Sequence, residues 1–252
     1  MYQQERLNEI LKILRATHYA TVDYLVEQIH YSPASIRRDL TLLEKQGLVT
    51  RSYGGAEINE ESYTPFKFRQ HLMKSEKNKI AYEAAKLIKN GDIVFLDGST
   101  TVQYMGHYIT DKKDICVITN NIMLASYLKE NGIRVYSTGG ELTELPGTLS
   151  GPLAANGFSH FHADIMFFST DGVLEDGTIT VKEDSNFIHN RAMLDNSDSH
   201  IFLCGSDKIG KYSRLVQCDV SEIDTFITDK NVPEKLEKSF PETEFVCIKS
   251  TK

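Results

Sequence analysis

The chain of 252 residues has 40% hydrophobic and 25% charged residues, which is ordinary for a soluble globular protein with one large domain or two unequal ones. No apolar run approaches the about 18 residues of a membrane span. The polar start MYQQERLNEI also lacks a signal-peptide pattern. The four scattered cysteines form no CxxC pair, which favours reduced thiols over disulfides or a zinc site. We therefore expect a cytoplasmic protein without a membrane partner.

The formal net charge of −7 would argue against nucleic-acid binding if it were spread evenly along the chain. Residues 1–56 carry seven Lys/Arg and six Asp/Glu, whereas residues 57–252 carry 21 Lys/Arg and 29 Asp/Glu. Any DNA contact must therefore come from clustered arginines near the N-terminus. The acidic remainder should repel DNA and confine the contact to one face.

Apolar residues at helical spacing predict two amphipathic helices before residue 31. Thr21 is a suitable N-cap for the second of them. Ser32 then caps a third helix with Pro33 at its first position, and Gly47 ends it as a left-handed cap. The spacing predicts a compact three-helix unit.

The third predicted helix has two contrasting faces. Ile36, Leu40 and Leu43 face inward, which leaves Ser35, Arg37 and Arg38 pointing away from the core near the N-terminal end. A recognition helix offers this end to base edges and phosphates. An Arg-Arg pair alone is equally consistent with a solvated helix face. The three-helix spacing and the ribbon that follows favour DNA binding.

The run Leu48–Tyr53 predicts a strand that ends at Gly54-Gly55, where a tight turn is permitted. Arg51 and Tyr53 lie on one strand face, suited to phosphate contact from a wing, although Tyr53 could instead pack against the third helix. Residues 1–56 therefore predict a winged helix-turn-helix DNA-binding domain. Its candidate DNA contacts are Ser32, Ser35, Arg37, Arg38, Arg51 and Tyr53.

The segment SPASIRRDLTLLEKQGLVTRSYGGA (Ser32–Ala56) resembles the DeoR family of bacterial transcriptional regulators, and the resemblance extends over nearly the whole chain. The usual family pattern is Ser-x-x-Thr-[Ile/Val]-Arg-Arg-Asp-Leu, followed by a wing ending Arg-x-His-Gly-Gly-Ala. This chain has Ser35 where Thr is commoner and Tyr53 in place of the His. The resemblance implies binding to double-stranded operator DNA. Because operator half-sites are gripped by paired subunits, we expect a homodimer or homotetramer.

Residues 57–65 (EINEESYTP) are acidic, lack apolar periodicity and end in proline, so they predict a linker. From residue 66 to 252, short apolar runs alternate with stretches long enough for crossover helices. This alternation predicts an α/β domain with a mostly parallel, Rossmann-like sheet covered on both faces. The predicted strands are Ile93–Leu96, Cys116–Ile118, Ile133–Tyr136, Ile165–Phe168, Ile201–Cys204, Phe226–Ile227 and Phe245–Ile248.

Small and polar residues follow five of these strands, and the carboxyl ends of parallel strands share one edge of the sheet, where open α/β sheets bind ligands. The Asp97–Thr101 loop runs into a predicted helix, Val102–Tyr108, whose N-terminus would favour an anion. Lys208 could add a positive charge, and Asp97, Asn120 and Asp171 could hold sugar hydroxyls. A single loop of this composition is more simply explained as a turn. Five on one edge favour a ligand site.

The resemblance to the DeoR family implies that residues 66–252 form an effector-sensing domain with a sugar-phosphate-isomerase-like fold. It also implies a pocket for a phosphorylated sugar effector, without a cofactor or metal. The residues that match the family pattern there are Asp97, Gly98, Ser99, Thr100, Thr101, Asn120, Gly139, Gly140, Asp171, Gly172 and Lys208. The segment EDSNFIHNRAM (Glu183–Met193) departs from the commoner sequence pattern of the family, of which it retains only Arg191-Ala-Met.

The leading interpretation is a repressor of carbohydrate-metabolism genes that a phosphorylated sugar releases from its operator. The alternative is a sugar-phosphate isomerase with a DNA-binding extension, since Asp171 and Glu183 offer carboxylates for a general base. The resemblance points to a sensor that binds without turnover, so we predict no catalytic residues. Whether the protein activates or represses transcription stays open, because this depends on the position of the operator relative to the promoter. His160-x-His162 has no third ligand by spacing, and no Walker, GxGxxG or GxSxG motif occurs.

Overall fold

A computed structural model describes residues 2–59, 66–144 and 147–248. Contacts divide the chain into two compact units, Met1–Leu72 and Met73–Lys252. No helix in the described part of the chain is long and apolar enough to cross a membrane.

The N-terminal unit consists of a three-helix core and a small antiparallel sheet. Its elements are α1 (Gln3–Thr17), β1 (Tyr19–Thr21), α2 (Val22–Ile29), α3 (Pro33–Lys45), β2 (Val49–Ser52), β3 (Gly55–Ile58) and α4 (Phe66–Arg69). The predicted caps are present: Thr21 accepts a hydrogen bond from the Tyr24 amide, and Ser32 accepts one from the Ser35 amide. Gly47 follows α3 with a φ of 70°, the left-handed conformation expected after a helix.

The sheet order β1-β3-β2 joins the wing to the short strand between α1 and α2. The sequence analysis missed β1, and it placed Glu57 and Ile58 in the linker, whereas both belong to β3. Residues 60–65 of the predicted linker lie outside the described residues. Phe68 of α4 is fully buried in the core of this unit, so the contacts group residues 66–72 with the N-terminal unit rather than with the domain predicted to begin at residue 66.

The larger unit is an α/β domain. Its helices are α5 (Lys74–Ala85), α6 (Ile122–Glu130), α7 (Pro152–Ser159), α8 (Asp184–Leu194) and α9 (Glu234–Ser239). Its strands are β4 (Ile93–Leu96), β5 (Cys116–Thr119), β6 (Arg134–Ser137), β7 (Glu141–Glu144), β8 (Thr148–Ser150), β9 (Ile165–Phe168), β10 (Gly172–Val173), β11 (Thr178–Val181), β12 (His200–Cys204), β13 (Leu215–Asp219), β14 (Thr225–Thr228) and β15 (Glu244–Cys247).

A seven-stranded parallel sheet with the order β15-β14-β12-β9-β4-β5-β6 forms the centre of this unit. These are the seven strands that the apolar runs predict. Two hydrophobic clusters of buried side chains pack against this sheet. Successive residues of β4 alternate between them, since Val94 and Leu96 belong to one cluster and Phe95 to the other. Apolar cores on both faces explain why the strands are continuous hydrophobic runs.

The sequence analysis missed two smaller sheets, the antiparallel set β10-β11-β13 and the hairpin β7-β8. The predicted helix Val102–Tyr108 is present with these bounds as a 3₁₀ helix. The helix α5 begins at Lys74, after Met73 in a left-handed conformation.

Candidate functional site

The exposed face of α3 carries the predicted recognition residues. Arg37 and Arg38 are exposed and Ser35 is half-buried, while the inward-facing apolar side chains of this helix are fully buried. The Ser32 hydroxyl is engaged within the protein, because it lies 3.0 Å from the Ser35 hydroxyl and caps the helix. The two arginines are therefore presented away from the core by packing on the opposite side of the helix.

A buried ion pair fastens α3 to α1. Asp39 is fully buried, and its carboxylate accepts hydrogen bonds from Arg6 Nε and, at 3.1 Å, from Arg6 Nη2. The Asp39 bond raises the pKa of Arg6, whose guanidinium also stacks 4.6 Å from the Tyr31 ring centroid. The sequence analysis missed this pair, because residues 33 positions apart give no periodic signal. It fixes the helix on which Arg37 and Arg38 lie.

The wing is tied to the same helix. Arg51 Nη1 donates to Thr41 Oγ1 at 2.8 Å, and the Arg51 amide donates to Glu44 Oε1 at 3.2 Å. Tyr53 is fully exposed at the turn between β2 and β3, so it does not pack against α3. Arg51, which is predicted to contact phosphate, is thus held at the edge of α3, while Tyr53 lies at the tip of the wing.

The topology of the large sheet marks one place for a ligand. From β4 the chain adds β5 and β6 on one side, then returns to place β9 on the other side of β4 and continues outward to β12, β14 and β15. Ligands of open α/β sheets bind beyond the carboxyl ends of the strands at this switch in strand order. Asp97 follows β4 and Ser169 follows β9, so both lie at the switch point.

Asp97 joins the two loops at the switch point. Its buried carboxylate accepts hydrogen bonds from the Ser99 amide at 2.9 Å and from the Ser169 amide at 3.0 Å. Burial raises the pKa of Asp97 to about 6, although these bonds and the nearby Lys208 charge oppose the rise. Lys208 Nζ donates to Ser169 Oγ at 3.0 Å, which places its ammonium group beside the same carboxylate.

A second lysine that the sequence analysis missed lies at this loop. Lys77 of α5 is 8% exposed, and its Nζ donates to Thr100 Oγ1 at 2.9 Å. The neighbouring Thr101 is buried, and Ser99 Oγ accepts a hydrogen bond from the Val102 amide. In the sequence, Lys77 belongs to the charged stretch KSEKNK and looks like a surface residue. Lys77 and Lys208 each donate to a hydroxyl group of the switch-point loops, so both positive charges lie at these loops.

Asn120 follows β5 and lies against the Asp97–Thr101 loop. Its Nδ2 donates to the Leu149 carbonyl at 3.0 Å and lies 3.3 Å from Nδ1 of His189, which is on α8. Gly98 of this loop packs closely there, since a Cβ at residue 98 would lie 3.1 Å from Asn120 Oδ1 and 2.7 Å from the Thr148 methyl carbon. Glycine is therefore required at residue 98 by close packing.

Other predicted effector residues have separate partners. Asp171 Oδ2 accepts a hydrogen bond from the Lys182 amide at 2.8 Å. Gly172 is buried, and a Cβ there would lie 2.2 Å from the Lys211 carbonyl oxygen, so close packing requires glycine at this residue. Gly139 and Gly140 follow β6 and are exposed, and no contact described here brings them to the switch-point loops.

The described residues contain no group of three His, Cys, Asp or Glu side chains that could hold a metal ion. His160 pairs with the Asn156 amide, and His162 pairs with Asp198 at 2.7 Å. The four cysteines are free thiols.

A winged helix-turn-helix unit followed by an α/β unit defines the class, a DNA-binding regulator with a sensor domain. The sequence model of the DeoR-like helix-turn-helix domain matches residues 6–62, and that of the DeoR C terminal sensor domain matches residues 73–230. The chain belongs to the DeoR family of transcriptional regulators.

Named relatives match over nearly their whole length. The HTH-type transcriptional repressor GlcR of Bacillus subtilis is 34% identical, covering 91% of this chain and 90% of that protein. The glycerol-3-phosphate regulon repressor of Escherichia coli is 29% identical, covering 92% and 93%. Among solved structures, ribose 5-phosphate isomerase from Plasmodium falciparum aligns with a TM-score of 0.41 and 17% identity, covering 54% of this chain and 53% of that chain.

Proposed function

We propose that this regulator is a cytoplasmic repressor of carbohydrate-metabolism genes, and that a phosphorylated sugar binding at the switch point releases it from operator DNA. The names of its relatives support a repressor role, since GlcR and the glycerol-3-phosphate regulon repressor both carry it. A ligand can shift the protein away from the operator only if it binds the two states with different affinity.

The observation that carries the effector assignment is the convergence of two lysines on the switch-point loops. Lys208 reaches Ser169, and Lys77 reaches Thr100, in the two loops that the Asp97 carboxylate joins. Two ammonium groups with hydroxyls beside them suit a phosphate dianion. The carboxylate between these loops suits a hydroxyl of the attached sugar.

Binding of a panel of sugar phosphates and their unphosphorylated parents tests this assignment by thermal shift and by release of operator DNA. We expect only phosphorylated members to raise the melting temperature. Lys208→Met, which keeps the apolar stem, should weaken that binding by roughly tenfold to a hundredfold, the effect of losing a hydrogen bond to a charged group. Lys211→Met is the matched control, since Lys211 is exposed three residues later. Equal losses in both variants would contradict the site.

We place the operator contact on α3 and the wing, with Arg37 and Arg38 as its main cations and Ser35, Arg51 and Tyr53 around them. Operator fragments selected from random duplex DNA provide the assay. Arg37→Ala and Arg38→Ala should each weaken operator binding by about 1–3 kcal/mol if they read bases, or lower the salt slope by about one if they contact phosphate. Sugar-phosphate binding should stay unchanged. Unaltered operator affinity in both variants would remove α3 as the recognition helix.

We further propose that the larger unit binds without turnover. The Asp171 carboxylate, one of the two candidate bases, already accepts the Lys182 amide, and Glu183 is the residue before α8. Incubation with the stabilising sugar phosphate, followed by chromatographic separation of aldose and ketose products, checks this proposal. Conversion of one to the other would establish the isomerase alternative.

A further inference from the structure

Three buried polar atoms have no hydrogen-bond partner within the described residues: Asn120 Oδ1, Thr148 Oγ1 and His189 Nε2. Asn120 links them, since Gly98 packs against both Asn120 and Thr148 and the His189 ring lies 3.3 Å from the Asn120 amide. Their residues are only 2%, 8% and 2% exposed, respectively. Buried polar atoms are nearly always paired in folded proteins, since leaving one unpaired costs about 1–3 kcal/mol. Three together at the edge of a sheet suggest groups kept for a ligand. We call Asn120, Thr148 and His189 the hydroxyl cluster.

Contacts within the protein fix which atoms of the cluster remain available. The Leu149 carbonyl accepts a hydrogen bond from Asn120 Nδ2, which fixes the orientation of the amide. Asn120 Oδ1 therefore remains as an acceptor. His189 Nδ1 faces the same amide nitrogen, which can only donate, so Nδ1 is the acceptor and Nε2 carries the ring proton that a ligand could accept. The Thr148 hydroxyl can both donate and accept.

The cluster carries no net charge. Burial lowers the pKa of His189, although the Gly151 backbone opposes that shift, so the imidazole is neutral at pH 7. A neutral set of donors and acceptors does not attract phosphate over water, whereas a hydroxyl group can donate and accept at once. Gly98 brings the cluster against the loop that holds Asp97 and Thr100, because a Cβ at residue 98 would touch two of its members.

We infer that Asn120, Thr148 and His189 bind hydroxyl groups of the effector's sugar and thereby select which sugar phosphate acts on this regulator. The inference rests on the proposed function, and it adds Thr148 and His189 to the residues predicted from the sequence. His189 lies on α8, in the segment Glu183–Met193 that departs from the commoner family pattern.

Two substitutions delete one ligand-binding atom each while preserving the surrounding contacts. Thr148→Val keeps the shape and removes an unpaired hydroxyl, so the unliganded melting temperature should hold or rise. His189→Asn keeps a polar atom near Nδ1 and removes Nε2, whereas His189→Gln returns a polar atom near Nε2. His160→Asn is the matched control, because His160 is exposed at the end of α7.

The readout is calorimetric binding of the strongest sugar phosphate in the panel, of its monodeoxy analogues and of inorganic phosphate. We expect Thr148→Val and His189→Asn each to weaken sugar-phosphate binding roughly tenfold, with partial recovery in His189→Gln. The wild type should bind each monodeoxy analogue more weakly than the complete sugar phosphate. Each variant lacks the protein atom that pairs with one sugar hydroxyl, so it should bind the analogue without that hydroxyl as tightly as the complete sugar phosphate. Inorganic phosphate should bind all variants alike.

Failure of this inference differs from failure of the proposed function. If both variants discriminate against every deoxy analogue as the wild type does, the cluster does not bind hydroxyls, although the repressor proposal stands. If only unphosphorylated sugars stabilise the wild type and both variants lose that binding, the hydroxyl inference stands and the phosphate assignment falls. If no sugar of either kind binds, both are wrong.

Discussion

Asp97→Asn tests the electrostatics of the switch point through the pH dependence of stability. Burial raises the pKa of Asp97 from its ordinary value of 3.8 to about 6. The folded state therefore holds a proton that the unfolded state has released between these two values. The associated stabilisation is complete below about pH 4 and is lost as the pH rises through 6.

The shift corresponds to about 3 kcal/mol in total at 1.36 kcal/mol per pH unit. About 1.4 kcal/mol of this stabilisation is lost between pH 5 and pH 8. An asparagine side chain cannot ionise, so the Asp97→Asn variant should lack this slope. The free energy of unfolding of the variant minus that of the wild type should therefore increase by about 1.4 kcal/mol from pH 5 to pH 8.

Urea unfolding followed by far-ultraviolet circular dichroism is the appropriate assay, because the chain contains no tryptophan. Asp111→Asn at an exposed turn is the control and should track the wild type. Lys208→Met should move the transition to higher pH, since the Lys208 charge holds the pKa of Asp97 down. If wild type and Asp97→Asn give parallel curves from pH 5 to pH 8, the raised pKa is refuted.

Three further predictions concern other contacts. Asp39→Ala leaves the Arg6 guanidinium without its carboxylate and should destabilise the N-terminal unit by about 3–5 kcal/mol, measured by urea unfolding; a loss below about 1 kcal/mol would contradict the anchoring role. Glu44→Gln keeps an acceptor for the Arg51 amide but removes a negative charge, so operator affinity should rise by up to about fivefold and become more salt-dependent; lower affinity in a filter-binding titration would count against it. Gly172→Ala forces a Cβ into a backbone carbonyl and should lower the melting temperature, and a value equal to that of the wild type would show that the loop yields freely.

The sequence predicted the seven-stranded sheet because each strand is a short apolar run buried on both faces. The missed strands are short or polar. The three residues of β1 and the two of β10 carry too little alternation for a periodic signal, and their strand identity depends on partners far away in the chain. Loop chemistry after β4 and β5 located Asp97 and Asn120 correctly at one sheet edge, because the parallel topology was itself predictable.

The missed site residues share a different cause. Lys77 and His189 reach the loops from helices α5 and α8, so their positions depend on tertiary packing rather than on local pattern. At Gly172 the sequence predicted ligand contact, and the structure adds a close backbone approach that itself requires glycine there. Composition identifies which loops meet at an edge, but it does not identify which of their atoms are already paired.

The strand β1 has a consequence for how such a regulator can respond. A Cβ at Gly55 would lie 2.4 Å from the Ala20 carbonyl oxygen, so the wing is locked onto the connection between α1 and α2, and Arg51 locks it to α3. A DNA-binding domain that is held at both edges of its wing loses little conformational freedom when it binds DNA. Under the proposed function, we therefore expect an effector to change the spacing of two DNA-binding domains rather than the shape of either one.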